Sequence, residues 1–471
     1  MVVIGVDLGT SGLRMVALGQ DGTPAGQVAI RFADTEQGAE QDPRRWWQAF
    51  TAAGRLLAES LQARGEEVAA LAVASTSGSV VGLDAAGEPL APALLYFDPR
   101  ADAEAEAAGV ALAAEAEALG YRLDASFGLP KVLYLRRTRP AWRARLHRVT
   151  TPSGYLEARL LGHAGPLDWT NALKLGYDLL RGEWPATIES VLGLPLDQLP
   201  PVVAPGTLLG PLDRRAAAEL GWPAGTPVVA GMTDGCASQL GSGAARPGQK
   251  NTSLGTTLVV KAITRELPHD PDGVVYSHRH PLGYWMPGGA SNTGGGILRS
   301  AFPGADLAEL DATVDPDRPS PHVLYPLPGT GERFPFRRPQ ATAFRLGPPG
   351  QPAYQSYLEG VAFVERLAYE RLAALGIETE PVIYATGGGS ESAAWNQLRA
   401  NITGQELVRP ALTGADVGAA LLAAGHAWHG DVVQAAAAMV RPAARYRPRT
   451  DAFEAAYARF REELVRRGWW P

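Results

Sequence analysis

The stretch Val2–Gly12, which reads VVIGVDLGTSG, decides the fold class of this chain. Its apolar start, Val2–Val6, predicts a buried strand, and the glycine and hydroxyl residues after Asp7 predict a tight turn. Residues 13–18 predict a second strand, and Asp21-Gly22 is a usual signal for the next hairpin turn. The chain therefore begins with a β-meander whose first turn follows an acidic residue.

Helix and strand patterns follow this meander. Asp42-Pro43 predicts the start of an amphipathic helix, with apolar residues at helical spacing from Trp46 to Leu57. Val68–Ala74 predicts a buried strand that ends at Thr76-Ser77-Gly78. Functional side chains of open α/β sheets lie at such strand ends, so this tripeptide is a candidate part of a binding site.

The second half of the chain repeats this order of elements. Residues 251–261 predict another strand, turn and strand, and a long helix is expected from about Ala353 to Leu375. Pro381–Thr386 predicts a buried strand that runs into Gly387-Gly388-Gly389, and Ser390 is the predicted cap of the helix after it. An internal duplication with two α/β domains, residues 1–232 and 233–471, is the interpretation.

Bulk composition limits the possible functions. The 471 residues are 46% hydrophobic and 20% charged, which is typical of a folded globular protein, and the net charge of −6 argues against binding to nucleic acid or anionic lipid. Cys236 is the single cysteine, so an internal disulfide and a cluster of thiolate ligands are excluded, and a buried thiol is expected. No basic leader and no apolar run long enough to cross a membrane is seen, which predicts a soluble cytoplasmic protein.

Three turns rich in glycine and hydroxyl residues could hold phosphate: residues 7–12, 253–257 and 386–392. Glycine lets the backbone approach an oxyanion, and successive N–H groups form an anion-binding nest. None of the turns has the spacing of a P-loop or of a dinucleotide fingerprint. Together they indicate a nucleotide site of another type.

The order of these motifs resembles the FGGY family of carbohydrate kinases. The resemblance is carried by residues 7–12, 231–235 (GMTDG), 253–257 (SLGTT) and 386–389 (TGGG) with Trp395. It implies an α/β fold of two ribonuclease-H-like domains of the actin/hexokinase superfamily around a central cleft. It also implies an N-terminal sugar side, a C-terminal nucleotide side, ATP and Mg²⁺ as cofactors, and a small-molecule sugar substrate. A monomer or a homodimer is expected.

The resemblance also implies roles for individual residues. Asp234 is the implied catalytic base, and Asp7 is the implied Mg²⁺ ligand at the catalytic centre. A carboxylate can accept the proton of a sugar hydroxyl while the bond to phosphorus forms. The implied sugar contacts are Asp7, Ser77, Asp98 and Asp234. The implied nucleotide contacts are Thr10, Ser11, Gly12, Gly255, Thr256, Gly295, Gly388, Gly389, Ser392 and Trp395.

Simpler interpretations of single residues stay open. Asp7, Asp234, Ser77 and Asp98 could be turn or cap residues, and Trp395 could be plain helix core. We interpret His278 and His280 as loop residues rather than metal ligands.

The substrate is the most open question at this stage. Thr76-Ser77-Gly78 together with Gly235 and Cys236 is similar to a group of cyanobacterial and plant pentulose kinases, which favours D-ribulose, with D-xylulose as the alternative. An actin-like ATPase switch and a sugar-binding sensor remain as functions of other classes.

Overall fold

The computed structural model describes residues 1–32 and 38–470. Its strands are β1 (Val2–Gly9), β2 (Gly12–Gly19), β3 (Pro24–Arg31), β4 (Glu40–Gln41), β5 (Val68–Ser75), β6 (Val81–Leu83), β7 (Ala93–Leu94), β8 (Arg148–Thr150), β9 (Leu167–Asp168), β10 (Val202–Val203), β11 (Leu208–Pro211), β12 (Pro227–Val229), β13 (Lys250–Leu254), β14 (Leu258–Ala262), β15 (Tyr276–Arg279), β16 (Trp285–Ser291), β17 (Val323–Tyr325), β18 (Phe344–Leu346), β19 (Val382–Thr386), β20 (Glu406–Pro410) and β21 (Pro442–Tyr446).

The helices are α1 (Pro43–Gln62), α2 (Asp102–Ala111), α3 (Ala113–Leu119), α4 (Gly128–Thr138), α5 (Pro140–Arg145), α6 (Pro152–Leu161), α7 (Trp169–Ala172), α8 (Thr187–Ser190), α9 (Arg214–Leu220), α10 (Asp234–Gly241), α11 (Gly296–Ala301), α12 (Leu307–Asp311), α13 (Tyr354–Ala374), α14 (Ala393–Thr403), α15 (Ala415–Ala424), α16 (Val432–Met439) and α17 (Glu454–Arg466). Short 3₁₀ turns cover Pro99–Ala101, Leu173–Leu175, Leu196–Gln198 and Gly388–Glu391, and a π-helical turn covers Gly425–His429.

The chain forms two compact units that interleave along the sequence. Unit 1 consists of Met1–Ala245, His278–Gly283 and Leu412–Val440, and unit 2 consists of Arg246–Ser277, Tyr284–Ala411 and Arg441–Pro471. A single boundary after residue 232 does not describe this arrangement, because two later segments return to unit 1. Asp234, which that boundary assigns to the second domain, lies in unit 1.

The main sheet of unit 1 has the order β3-β2-β1-β5-β12-β11. Strand β1 is antiparallel to β2 and parallel to β5, and β5 is parallel to β12. All residues of β1 except Gly9 are buried, as expected for a central strand that is covered on both faces. The predicted opening strands and the Asp21-Gly22 turn are confirmed, and Gly22 has a φ of 84°.

Unit 2 repeats this sheet order. Its main sheet includes the order β16-β14-β13-β19-β20-β21, with β13 antiparallel to β14 and parallel to β19, and β19 parallel to β20. Strands β16, β14, β13, β19, β20 and β21 therefore correspond in order and direction to β3, β2, β1, β5, β12 and β11. The repeat that the sequence suggested is present in the topology of both sheets.

Helix α1 shows how local signals define an element of unit 1. The Asp42 side chain accepts a hydrogen bond from the Arg44 amide at 3.0 Å, and Pro43 occupies the first helical turn. Trp46, Phe50, Leu57 and their neighbours on this face are buried against the sheet. The predicted amphipathic helix is confirmed.

Predictions about His278 and Ser390 were wrong. His278 lies in strand β15 rather than in a loop, whereas His280 follows the strand as a loop residue, and both side chains are buried. Ser390 does not cap α14, because its hydroxyl donates to the carbonyl of Gly387 at 2.7 Å. Ser392 caps this helix instead and accepts from the Trp395 amide at 3.0 Å.

Within residues 1–32 and 38–470, no helix combines the length and the apolar character that a membrane crossing requires.

Candidate active site

The carboxyl ends of three neighbouring strands meet at one edge of the unit 1 sheet. Asp7 lies near the end of β1, Ser77 follows β5, and Asp234 follows β12. The backbone joins these ends, because the Thr76 amide donates to the carbonyl of Leu8 at 3.2 Å and Ser75 forms a parallel bridge with Thr233. The candidate base, metal ligand and sugar contact are therefore brought to the same sheet edge.

Asp7 is a buried carboxylate in an acidic environment. Only 6% of the residue is exposed, and Arg14, its partner in the β1–β2 register, donates to Oδ2 at 3.1 Å. The pKa of Asp7 is raised to about 6, mainly by burial; Arg14 opposes the rise, and the carboxylates of Asp234 and Asp416 contribute to it. Among the charged groups that act on Asp7, two carboxylates therefore stand against one arginine.

Asp416 is a third carboxylate of unit 1 and lies in the first turn of α15. It is 8% exposed, and its Oδ1 has no hydrogen-bond partner among the described residues. Burial raises the pKa of Asp416, and Arg14 lowers it. Arg14 thus faces two buried acids from its position on β2.

Asp234 is the first residue of α10 and is half-buried. Its Oδ1 accepts a hydrogen bond from the Gly235 amide at 2.7 Å. A carboxylate in the first turn is favoured by the partial positive charge of a helix N-terminus. The neighbouring Cys236 is fully buried, which confirms the predicted buried thiol.

The two further sugar candidates differ in their free hydrogen-bonding capacity. The Ser77 hydroxyl is buried and has no hydrogen-bond partner among the described residues. Both oxygens of Asp98 accept from Arg100, at 3.0 Å from Nε, and the Arg100 side chain also donates to Glu40 at 2.7 Å. This pairing lowers the pKa of Asp98 against the effect of its burial. Ser77 is therefore the residue of this pair that has an unused polar group.

Thr10 and Ser11 form the turn between β1 and β2 in unit 1, and Gly12 begins β2. Ser11 is exposed and Thr10 is half-buried, so both are placed at the surface end of the strand that carries Asp7. A Cβ atom on Gly12 would lie 2.4 Å from the carbonyl oxygen of Ile30. Close pairing with β3 therefore explains the glycine at this position.

The glycine turns of unit 2 also converge. The Gly295 amide donates to the carbonyl of Gly255 at 2.8 Å, and the Gly296 amide donates to the carbonyl of Thr256 at 3.1 Å. Gly387, just after β19, packs on the backbone of Leu254. A Cβ atom on Gly387 would lie 2.6 Å from the carbonyl oxygen of Leu254. Three separate turns thus form one continuous backbone surface.

The outer side of this surface is open. Gly255, Thr256 and Gly388 are exposed, and a Cβ atom on Gly255 or Gly388 would meet no atom within 4 Å. Gly389, in contrast, packs closely on the side chain of Leu254. Space for a ligand is therefore present above Gly255 and Gly388.

Trp395 supports this surface from below. The residue is 2% exposed, its indole Nε1 donates to the carbonyl of Leu358 at 3.1 Å, and its ring lies near Gly389 and Gly295. The Ser392 hydroxyl is used as the helix cap described above. The predicted nucleotide contacts of these two side chains remain predictions.

Models of known protein families match both halves of the chain. The N-terminal domain of the FGGY family of carbohydrate kinases matches residues 2–241, and the C-terminal domain of the same family matches residues 251–427. The chain belongs to the FGGY family of carbohydrate kinases. The predicted family, the two-domain α/β fold and the enzyme class are thereby confirmed.

Several relatives match this FGGY kinase over nearly its full length. The xylulose kinase of Escherichia coli is 29% identical over 434 residues, which are 89% of this chain and 88% of the relative. The xylulose kinase of Streptomyces rubiginosus is 31% identical over 440 residues, which are 90% of this chain and 88% of the relative. A crystal structure described as a xyloylose kinase from Brucella ovis has a TM-score of 0.89 at 26% identity and covers 99% of both chains.

Sequence reasoning missed two charged residues at the sheet edge of this FGGY kinase. Arg14 could have been found by its position in the second strand, directly opposite Asp7 in a two-stranded hairpin. Asp416 gave no comparable signal, because an acidic residue is common in the first turn of a helix. The position of α15 beside β1 depends on tertiary packing, which no local pattern reveals.

Proposed function

We propose that this FGGY kinase transfers the terminal phosphoryl group of ATP to D-xylulose. The observation that carries the proposal is the similarity, over about nine-tenths of each chain, to relatives described as xylulose kinases. The sequence-based preference was D-ribulose, with D-xylulose as the alternative. The relatives favour the alternative.

Asp234 is proposed as the base that accepts the proton of the attacking sugar hydroxyl. Its half-buried carboxylate at the start of α10 is a suitable acceptor, and a hydroxyl needs one because it is a poor nucleophile. In phosphoryl transfer, most of the rate comes from positioning and electrostatic stabilisation, so no covalent intermediate with the protein is required.

The residues at the sheet edge fit a role in holding Mg²⁺. Asp234 and Asp416 both act electrostatically on Asp7 and Arg14 opposes them, so a cation beside Asp7 would relieve this repulsion. In the described part of the chain, no three His, Cys, Asp or Glu side chains form a complete cation site. Mg²⁺ is commonly bound by one or two carboxylates, water and substrate phosphates, and it would neutralise phosphate charge here. Asp7 is the proposed protein ligand.

Backbone groups of unit 2 are proposed to bind ATP. The surface at Gly255 and Gly388 is open and includes the exposed residue Thr256, which leaves room for phosphate and adenosine contacts. In unit 1, Thr10 and Ser11 are proposed as further phosphate contacts.

Ser77 is the proposed sugar contact, because its buried hydroxyl has an unused hydrogen-bonding capacity that a polyol can satisfy. Asp98 is a second proposed contact, although its carboxylate is already engaged by Arg100.

D-ribulose is kept as a second candidate substrate for a specific reason. Ser77 and Gly235 are both small, and together with Thr76 and Gly78 they match the pattern that first suggested a ribulose-type pocket. The two pentuloses differ in the configuration of one hydroxyl-bearing carbon, so one hydrogen bond can separate them.

A substrate panel tests the proposal. ADP release is measured with ATP and Mg²⁺ for D-xylulose, D-ribulose, L-ribulose, gluconate and glycerol, with a blank that contains no sugar. The expected result is the highest kcat/KM for D-xylulose. A higher value for D-ribulose would assign the second candidate, and ADP release that is independent of every sugar would favour the ATPase switch over both.

A further inference from the structure

The segment just before Asp234 is held by buried side chains in addition to its backbone bridge with Ser75 at the end of β5. Strand β12 ends at Val229, and Gly231, Met232 and Thr233 connect it to α10. The Thr233 amide donates to the Thr170 hydroxyl oxygen at 2.9 Å. Thr170 and Thr233 are 0% and 2% exposed, so water does not substitute for this contact.

The Thr170 hydroxyl is itself oriented by Asp168. It donates to Oδ1 of Asp168, and this carboxylate also accepts from the amides of Thr170 at 2.8 Å and Asn171 at 3.1 Å. The Asn171 side chain donates to Oδ2 at 2.6 Å. A hydroxyl that donates to a carboxylate is a stronger acceptor, because hydrogen bonds in a chain polarise one another. Thr170 therefore links the buried Asp168, which accepts several hydrogen bonds, to the backbone of Thr233 just before the proposed base.

A second buried acid holds the same segment two residues earlier. Oε1 of Glu157 on α6 accepts from the Gly231 amide at 3.0 Å, and Glu157 is 4% exposed. A Cβ atom on Gly231 would lie 1.8 Å from the carbonyl oxygen of Val73, so the backbone of this segment presses directly on β5. Contacts from α6, α7 and β5 thus fix residues 231–233 on several sides.

We propose that Thr170 and Glu157 are positioning residues that set the carboxylate of Asp234 for proton transfer. Neither side chain is required to touch the sugar or ATP. Each fixes one peptide group of the segment that leads into α10, and the direction of this segment determines where the first side chain of α10 points. The inference rests on the proposed role of Asp234 as the base.

The proposal predicts a separation of kcat from KM. A displacement of about 1 Å can cost up to about a hundredfold in rate when reacting groups must be aligned. The sugar and ATP contacts proposed above do not include Thr170 or Glu157, so KM should change little. A variant that lowers kcat at constant KM has lost an interaction that matters for the reaction step.

The test compares Thr170→Val, which removes the hydroxyl at nearly constant shape, with Thr170→Ser, which keeps it. Sugar-dependent ADP release is measured with D-xylulose and with D-ribulose. Thr170→Val is expected to lower kcat by about tenfold or more, with KM within about twofold of the wild-type value. Thr170→Ser is expected to retain most of the wild-type kcat. Thr226→Val is the matched control, because Thr226 is also buried in unit 1 but donates to the carbonyl of Pro223.

Glu157 supplies a second pair of variants, which also serves if Thr170→Val does not fold. Glu157→Gln keeps an oxygen acceptor for the Gly231 amide and should keep kcat, whereas Glu157→Leu removes it and should lower kcat at constant KM. The proposal is overturned if Thr170→Val and Glu157→Leu keep the wild-type kcat, or if the conservative variants lose as much as the disruptive ones.

Asp234→Ala in the same assay separates this inference from the proposed function. If Asp234→Ala is inactive while the positioning variants are fully active, only the positioning role fails. If Asp234→Ala retains the wild-type rate, the role of the base fails, and the positioning role fails with it.

Discussion

A Cβ atom on Gly5 would lie 1.9 Å from the carbonyl oxygen of Asp416, so strand β1 and helix α15 meet backbone to backbone at this point. Only glycine permits such an approach. Gly5 and Asp7 are two residues apart on β1 and therefore share one face of the strand. The contact explains how the carboxylate of Asp416 comes close enough to raise the pKa of Asp7.

Replacing Gly5 should therefore destabilise unit 1. The added methyl group of Gly5→Ala meets main-chain atoms of α15, which cannot rotate away, and overpacking of this kind costs about 3 kcal/mol of the free energy of unfolding. Urea unfolding measures the loss. Gly329→Ala is the control, because nothing lies within 4 Å of a Cβ atom there, and equal stability of the two variants would contradict the account.

The buried ion pair of Arg399 and Glu365 should be essential for the stability of unit 2. Both side chains are 0% exposed, with Nε to Oε2 at 2.7 Å and Nη2 to Oε1 at 2.8 Å. Arg399→Met leaves the Glu365 charge unpaired, which typically costs about 3–5 kcal/mol. Thermal and urea unfolding measure this effect.

The same pair connects two of the proposed nucleotide turns. Thr252, just before residues 253–257, donates to Glu365 at 2.6 Å, and Asn396 accepts from Arg399 and donates to the carbonyl of Ser390 at 2.6 Å. Arg399→Met should therefore also weaken ATP binding. Arg246→Met, which breaks the exposed pair with Glu380, should cost at most about 1 kcal/mol, and an equal loss in both variants would refute the distinction.

Gly388→Val tests the open surface of unit 2. The side chain can enter free space, so the free energy of unfolding should change by no more than about 0.5 kcal/mol. If ATP occupies that space, the clash should raise KM for ATP about tenfold or more and leave KM for the sugar unchanged. The matched control is Gly329→Val. An unchanged KM for ATP would argue against the proposed nucleotide site.

Glu157 should make the stability of the protein depend on pH. Burial raises the pKa of its carboxyl from 4.5 to about 8, the Gly231 amide opposes the rise, and Asp168 adds to it. The folded state therefore holds a proton that the unfolded chain loses above pH 4.5. Below pH 4.5 both states hold the proton, and this contribution to stability is fully present. Between pH 4.5 and about 8 the free energy of unfolding falls by about 1.4 kcal/mol per pH unit.

The comparison of wild type with Glu157→Gln isolates this effect. The amide cannot ionise, so the stability of the variant should fall less steeply between pH 5 and about 8, as measured by urea unfolding. Identical pH slopes for the two proteins would show that the Glu157 carboxyl does not titrate in this window.

The sequence predicted the parts of the fold that depend on local pattern. Strand β1 and helix α1 follow from an apolar run and from a cap with helical spacing, because these signals act within a few residues. The Ser390 cap was wrong, because Ser392 carries an equivalent hydroxyl two positions later and local pattern does not separate the two. The loop assignment of His278 was wrong, because the polar residues around it gave no sign of strand β15.

The candidate site could be predicted only as a set of motifs. Motif order placed Asp7 and Asp234 in the site, and β1, β5 and β12 then brought them to one sheet edge. The contributions of Asp416 and Thr170 depend on packing between elements that are distant in sequence. No pattern within a short window contains that information.

The kcat of Asp234→Ala tests the central claim most directly. The account predicts that the variant loses at least about a hundredfold in D-xylulose phosphorylation while its Kd for ATP stays near the wild-type value, because general-base catalysis contributes about a hundredfold or more. A variant that keeps more than about a hundredth of the wild-type kcat would contradict the assignment of Asp234 as the base.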